Sequence, residues 1–296
     1  MTTVASLLAE AKERLLAAPF RPPPREAHLL LGRVLGLDEA RLLARDHETV
    51  PPPAEAAFRE LLARRLAGEP VAYLLGEREF YGRPFRVDRR VLVPRPETEH
   101  LVEAALDSGL GLPAGARVLD VGTGSGAIAV TLALERPSWR VAATDLSPAA
   151  LAVARENARR HGLLDPSRAP RRLTLLACDL ASALRLEAFD LVVSNPPYID
   201  PAEAAALSPE ILEFEPPGAL FDPASGGGAS SVPGTGIACR LVASCRTLPS
   251  RAALALEIGE GQLPVLRDLA LRYGWRLHRL VDDYAGIPRV VVLTRR

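Results

Sequence analysis

From residue 117 onward, short apolar runs alternate with helical stretches, and few folds accept that order. The runs are RVLDVG (117–122), RVAATD (140–145), LTLLACD (173–179), FDLVVSN (189–195) and AALALEIG (252–259). GAIAVTLALERP and SPAALAVARENARRHG lie between the first three and carry helical periodicity. A strand followed by a helix and a second strand closes as a right-handed crossover, with parallel neighbours and helices on both faces. The pattern predicts an α/β fold with a doubly wound, mostly parallel sheet. WRLHRLV and PRVVVLTRR follow one another too closely for a helical crossover, so they are predicted to close the sheet as antiparallel strands.

The chain before this region reads differently. VASLLAEAKERLLA places Val4, Leu7, Leu8, Ala11 and Leu15 on one helical face. RPPPREAHLLLGRVLG, LDEARLLAR and PPPAEAAFRELLARRLAGEP follow as further helices marked off by proline and glycine. EFYGRPFRVDRRVLVPRPETEH alternates around Gly82 and Pro84, as a β-hairpin does, and Glu97 and Glu99 are placed to cap a helix starting after Pro96. The expected organisation is a helical domain over 1–72, a hairpin linker over 73–96 and the α/β domain over 97–296. FDPASGGGASSVPGTG (221–236) reads as a mobile loop.

Composition excludes several classes. Basic and acidic residues balance at 36 each, without the basic excess by which proteins neutralise a nucleic-acid backbone. Apolar runs fall short of the ~18 residues that cross a bilayer, and the first helix carries Glu10, Lys12 and Glu13, unlike a signal peptide. Cys178, Cys239 and Cys245 form no CxxC pair, and His28, His47, His100, His161 and His278 show no i, i+4 spacing. The expectation is a cytoplasmic monomer without a metal, a membrane or a nucleic-acid partner.

LDVGTGSGAIAV (119–130) runs from a strand through a glycine turn into a helix. Gly122, Gly124 and Gly126 allow a sharp turn and close approach of a ligand, while the helix start offers free N–H groups. The spacing is G-x-G-x-G, not the G-x-G-x-x-G of dinucleotide sites, and the loop lacks the lysine of a P-loop. Asp145 ends the second strand, where a carboxylate accepts from ribose hydroxyls. Together these features point to S-adenosylmethionine rather than NAD; a tight turn with a helix-capping aspartate is the plainer alternative.

SNPPYID (194–200) makes a stiff corner at the carboxyl end of the fourth strand, because prolines fix φ and remove donors. The Asn195 side-chain oxygen and the Pro196 carbonyl are two fixed acceptors, the complement of an –NH2 group held by both hydrogens. Tyr198 offers a ring on which the group carrying that nitrogen, an amide or a nucleobase, can stack. A rigid loop with no chemistry is the alternative.

The combination resembles the HemK family of bacterial peptide chain release factor glutamine methyltransferases. The resemblance extends over nearly the whole chain, through GEPVAYLLGEREFYGRPFRVDRRVLVPRPETE, LDVGTGSGAIAV, VVSNPPYI, FEPPGAL, LEIGEGQ and DYAGIPRVV. It implies a Rossmann-like methyltransferase fold and methylation of the glutamine side-chain nitrogen in the Gly-Gly-Gln motif of release factors. It further implies that Gly122, Thr123, Gly124, Ser125, Gly126 and Asp145 hold S-adenosylmethionine, and that Asp179 and Leu180 lie beside its adenine. Asn195, Pro196, Pro197 and Tyr198 would form the catalytic corner and hold the glutamine amide, Asn195 also facing the cofactor. Position 180 is often aromatic in relatives and is leucine here, and the 221–236 stretch is longer than the family's compact turn. A glutamine methyltransferase for a ribosomal protein and an adenine methyltransferase are the competing readings.

Overall fold

The computed structural model describes residues 2–20, 22–107, 110–165, 172–222, 232–283 and 285–295. The chain divides into two units, Met1–Arg78 with Leu207–Phe214, and Glu79–Ala206 with Glu215–Arg296. The first division falls inside the hairpin, after residue 78, and the 207–214 segment clusters with the N-terminal helices, a return that no local pattern announces.

In the first unit α1 (Val4–Ala17) starts on a capping box. Ser6 donates its N–H to Thr3 Oγ1 at 3.2 Å, and Thr3 donates its N–H to Ser6 Oγ at 2.9 Å, which satisfies two donors that a helix start otherwise leaves open. Its buried face is the expected stripe of Val4, Leu7, Leu8, Ala11 and Leu15. The next helices are α2 (Glu26–Leu35), ended by left-handed Gly36, α3 (Glu39–Ala44), capped by Asp38, and α4 (Pro52–Leu66). Then comes α5 (Val71–Leu75), between Pro70 and left-handed Gly76, one turn too short to leave a period in the sequence. Leu7, Leu15, Leu30, Leu31, Leu42, Phe58 and Leu62 fill the core.

Charged groups are buried in that unit around Arg65. Arg65, 2% exposed, donates to Glu26 at 2.5 Å, to Glu210 at 3.0 Å and to the Glu69 carbonyl at 3.2 Å, and its guanidinium lies 4.8 Å from the Phe20 ring centroid. Burial raises the pKa of Glu26 against the pull of Arg65. Pairing of this kind keeps two charges tolerable away from water, and removal of one partner strands the other.

The hairpin of β1 (Glu77–Phe80) and β2 (Arg83–Arg86), in which the second unit begins, turns at Tyr81 and Gly82, both at positive φ. There follow α6 (Thr98–Leu106), β3 (Arg117–Val121), α7 (Ala127–Glu135), β4 (Arg140–Asp145), α8 (Pro148–Arg160), β5 (Leu173–Ala177) and β6 (Leu191–Ser194). After β6 come α9 (Pro209–Phe214), which belongs to the first unit, then α10 (Pro217–Leu220), α11 (Gly236–Ser244), β7 (Ala253–Glu257), α12 (Leu263–Arg272), β8 (Arg276–Asp282) and β9 (Pro288–Thr294). Seven strands form one sheet in the order β5-β4-β3-β6-β7-β9-β8. The first five in that order are parallel, while β9 runs antiparallel to both β7 and β8. This is the predicted doubly wound sheet with its antiparallel close. Its two apolar faces pack under α6, α7 and α8 on one side and α11 and α12 on the other. Of the predicted 221–236 loop, residues 223–231 lie outside the described residues, while Gly236 starts α11.

The chain leaves β3 toward β4 on one side and returns through β6 on the other, so the order reverses between β3 and β6. Crevices at such reversals, beyond the carboxyl ends of the strands, are where open α/β sheets bind ligands.

Arg65→Met should lower the unfolding free energy by about 3–5 kcal/mol, since it leaves the buried Glu26 carboxylate without its partner. Urea denaturation followed by helical circular dichroism checks this; a loss below ~1 kcal/mol would show that the ion pair is dispensable.

Candidate active site

Every candidate site residue sits at the carboxyl end of a parallel strand. The register pairs Val121 with Ser194 and with Thr144, and Ser194 with Leu256. The glycine loop, Asp145, the Asn195 corner and Glu257 therefore emerge side by side from four adjacent strands.

In the loop, Gly122, Gly124 and Gly126 all have positive φ (74°, 54° and 83°), the region L-residues avoid. A Cβ on Gly122 or Gly124 would meet nothing within 4 Å, so the loop is open above those positions. Gly126 differs: its Cβ would lie 3.1 Å from the Ala154 Cβ, which binds the loop closely to α8. Asn157 on α8 secures the same junction. Its Nδ2 donates to the Ser125 carbonyl at 2.8 Å and the Arg86 carbonyl at 3.0 Å, and its Oδ1 accepts from the Arg86 N–H at 2.7 Å. Thr123 and Ser125 are buried beneath the loop.

Asp145 braces the loop from β4. Its two oxygens accept from the N–H groups of Gly124 and Ser147, each at 2.8 Å, and burial raises its pKa despite those bonds. With Leu146 as a third backbone donor, the carboxylate retains acceptor capacity for a ligand hydroxyl. Ser147, not Asp145, caps α8, accepting from the Ala150 N–H at 3.2 Å.

Asp120, unremarked in the sequence, lies directly below. It is fully buried, takes the Thr123 hydroxyl at 2.6 Å on Oδ2, and has no hydrogen-bond partner on Oδ1. Desolvation, with the charge of Asp145 adding to it, pushes its pKa up to about 7.

Asp179 and Leu180 follow β5. Asp179 is exposed and pairs with Arg240 at 2.5 Å. Leu180 adopts a left-handed φ of 49°, held by the Thr144 hydroxyl donating to its carbonyl at 2.7 Å, and its side chain packs against the core under α11. The Leu180 carbonyl is thereby taken up within the protein, and its side chain presents no aromatic surface.

The corner at 195–198 is braced at both ends. Asn195 Nδ2 donates to Thr98 Oγ1 at 3.1 Å. Glu257, at the end of β7, lies beside the Thr98 and Asn195 side chains and is 2% exposed. Its Oε2 has no hydrogen-bond partner. Desolvation pushes the Glu257 pKa up to about 7, with Glu97 raising it and Thr98, Arg289 and Asn195 opposing. Burial, with Glu257 beside it, pushes the Tyr198 phenol up to about 12, so it stays neutral. At the other end Gln262 Nε2 donates to the carbonyls of Tyr198 (3.0 Å) and Gly234 (3.1 Å), while its Oε1 accepts from the Gly259 N–H at 2.9 Å. Gly234 fits only as glycine: its φ is 71° and a Cβ would lie 2.1 Å from the Tyr198 carbonyl oxygen. Pro196 is buried and Pro197 half-buried between these braces.

Thr98 comes from the PRPETE segment, whose place the sequence left open. Arg95 anchors that segment on Glu215 at 2.6 Å. The predicted capping role fails: Glu97 makes no side-chain cap bond, and Glu99 instead accepts from the Tyr81 N–H at 2.8 Å. Thr98, Glu257 and Gln262 went unassigned although PRPETE and LEIGEGQ stood out as segments.

Residues 6–76 match a family model described as PrmC N-terminal domain, and 98–213 match Methyltransferase small domain. A release factor glutamine methyltransferase from Bordetella pertussis is 48% identical over 279 residues, covering 93% of this chain and 96% of its own. Another of that name from Nitratidesulfovibrio vulgaris is 40% identical over 300 residues, covering 99% and 95%. A crystal structure of a methyltransferase from Pyrococcus furiosus superposes with a TM-score of 0.50 at 16% identity, over 78% of this chain and 95% of that one, a likeness of fold.

Asp120 ionises near 3.8 when unfolded but at about 7 when folded, so its contribution to stability is full below pH ~4 and is lost as the pH rises to about 7. Asp120→Asn should flatten the stability curve across that window and leave the variant more stable than the wild type at pH 8, by the order of a few kcal/mol. Melting temperatures from pH 4 to 8 check this; parallel curves would contradict it.

Proposed function

This chain belongs to the release factor glutamine methyltransferase family, and from that premise we propose that it methylates the side-chain amide nitrogen of the glutamine in the Gly-Gly-Gln motif of peptide chain release factors, with S-adenosylmethionine as donor. The observation that carries the reading is the braced Asn195–Tyr198 corner at the reversal of the sheet, beside an open glycine loop.

The residues present fit the donor. The loop is open above Gly122 and Gly124, and Asp145 keeps acceptor capacity for ribose hydroxyls. In this reading Gly122, Thr123, Gly124, Ser125 and Gly126 hold the amino-acid end, and Asp145 holds the ribose. Asp179 and the Leu180 backbone border the adenine, without an aromatic stack. When bound, the sulfonium supplies an electrophilic methyl carbon.

A carboxamide nitrogen is a weak nucleophile because its lone pair is delocalised into the carbonyl. Asn195 Oδ1 and the Pro196 carbonyl accept its two hydrogens and fix the nitrogen in line for attack, and Tyr198 lies against the amide plane. Orientation of this kind supplies a large share of a barrier's reduction without an ionised base. The nitrogen–carbon bond forms as the carbon–sulfur bond breaks, and the nitrogen then gives one proton to water. The neutral Tyr198 competes for no proton in this step. Residues 1–72 and the hairpin of 73–96 we assign to docking the protein substrate, since they carry no chemistry of their own and precede the α/β domain.

Labelled methyl transfer to a purified release factor, beside its Gly-Gly-Gln→Gly-Gly-Ala variant, tests the reading. Label should enter the wild-type factor alone, and a short Gly-Gly-Gln peptide should need a much higher concentration, for want of docking. Asn195→Ala should lower kcat by about 10²–10³, the usual loss when one fixed polar partner of a reacting group is removed. Label on both factors, on a ribosomal protein instead, or on nucleic acid would overturn the assignment, and an unchanged kcat for Asn195→Ala would overturn the mechanism.

A further inference from the structure

The role given to Asn195 needs its carbonyl oxygen toward the substrate, yet a carboxamide has two nearly isosteric orientations. Turned over, it would present –NH2 to the substrate –NH2, and the site would repel what it must hold. Something on the far side of the amide has to choose.

The far side is a carboxylate. Glu257 is an acceptor-only group when ionised, buried at the end of β7 next to the strand that carries Asn195. The Asn195 amide reaches it through Thr98: Nδ2 donates to Thr98 Oγ1 at 3.1 Å, and Glu257 lies beside both side chains, which favour its ionised form. The bonds form a one-way chain. With Nδ2 donating to it, the Thr98 hydroxyl has its own proton to give to the neighbouring Glu257 carboxylate. Reversal of the amide would set Oδ1 against the Thr98 oxygen, which would lose the donor it now has, and would bring a carbonyl beside the buried carboxylate. The cost of a buried carboxylate facing a carbonyl exceeds that of an ordinary lost hydrogen bond. The Gln262 hydrogen bonds go to the backbone of Tyr198, Gly234 and Gly259 and fix the corner's main chain, not the orientation of the amide.

We propose that Glu257, with Thr98 as relay, is the positioning residue that locks the Asn195 amide with its oxygen facing the substrate, so that the enzyme accepts rather than repels the glutamine –NH2. The proposal rests on the proposed glutamine-methylating role of Asn195.

A protonated Glu257 could donate to Oδ1 and would tolerate the reversed amide, so the lock engages as Glu257 ionises, at about pH 7. The groups around it are Glu97 and Thr98 at the start of α6, Asn195 and Tyr198 after β6, and Arg289 on β9. Arg289 stays cationic throughout, held by Asp283 at 2.8 Å, and Tyr198 stays neutral, so Glu257 is the member of this group placed to titrate there.

The test uses the full-length protein labelled with nitrogen-15. The side-chain Nδ2H2 signals of Asn195, assigned by their loss in Asn195→Ala, should shift with a midpoint near pH 7 in the wild type and stay still in Glu257→Gln. Thr98→Val, which keeps shape but removes the relay, should lower kcat about 10- to 100-fold, the range seen when the partner orienting a reacting side chain is lost. Thr98→Ser should restore kcat, and cofactor affinity should hold in all three. The wild-type kcat should rise from pH 6 to 8, and that rise should vanish in Glu257→Gln. Asn195 signals that ignore pH, or a Thr98→Val enzyme with wild-type kcat, would overturn the lock even if release factor is methylated. Signals that titrate in a protein unable to methylate the factor would instead uphold the lock and sink the assigned substrate.

Discussion

The site depends on one brace: Thr98 at the start of α6, with Glu257 at the end of β7, and Gln262 in the turn beyond β7 grip the Asn-Pro-Pro-Tyr corner after β6 at its two ends. Glu257 and Thr98 hold the Asn195 side chain, and Gln262 holds the Tyr198 carbonyl. The two prolines contribute stiffness but no donors, so the corner cannot fix itself through its own backbone. Its geometry is imported from the neighbouring strand. Adjacency of β6 and β7 in the sheet is therefore a functional requirement as well as a packing outcome.

The brace carries an electrostatic cost. Asp120 and Glu257 are both buried, each has one oxygen without a hydrogen-bond partner, and both titrate at about 7 rather than near 4. Apolar residues there would relieve that cost. Polar groups held against their solvation preference recur where chemistry is done, and these two flank the crevice, one under the glycine loop and one behind the corner. Leu180 adds backbone strain at the same rim, at a left-handed φ that a branched side chain resists. By contrast, Arg65 in the helical unit is surrounded by acceptors and reads as architecture.

The α/β domain was legible because its evidence is local. RVLDVG, RVAATD and FDLVVSN are strands at nearly their predicted bounds, G-x-G-x-G is a loop of left-handed glycines, and Asp145 ends its strand beside that loop. What escaped is non-local. Thr98 lies 97 residues from Asn195 in the chain, and only the order of strands in the sheet brings Glu257 beside it. No periodicity reports such a meeting. Helix α5 was missed for a different reason, being a single turn, and the clustering of 207–214 with the N-terminal helices rests on contacts such as Glu210 with Arg65. PRPETE and LEIGEGQ were visible as unusual segments without a local role, and both lead to the amide of Asn195.

The central claim is that the corner presents two fixed acceptors to a carboxamide. A crystal structure with S-adenosylhomocysteine and a Gly-Gly-Gln peptide measures this directly. The account predicts the glutamine side-chain nitrogen within hydrogen-bond distance of both Asn195 Oδ1 and the Pro196 carbonyl, with Asn195 Nδ2 still on Thr98. A glutamine amide bound elsewhere, or an Asn195 side chain turned to donate to it, would contradict the account.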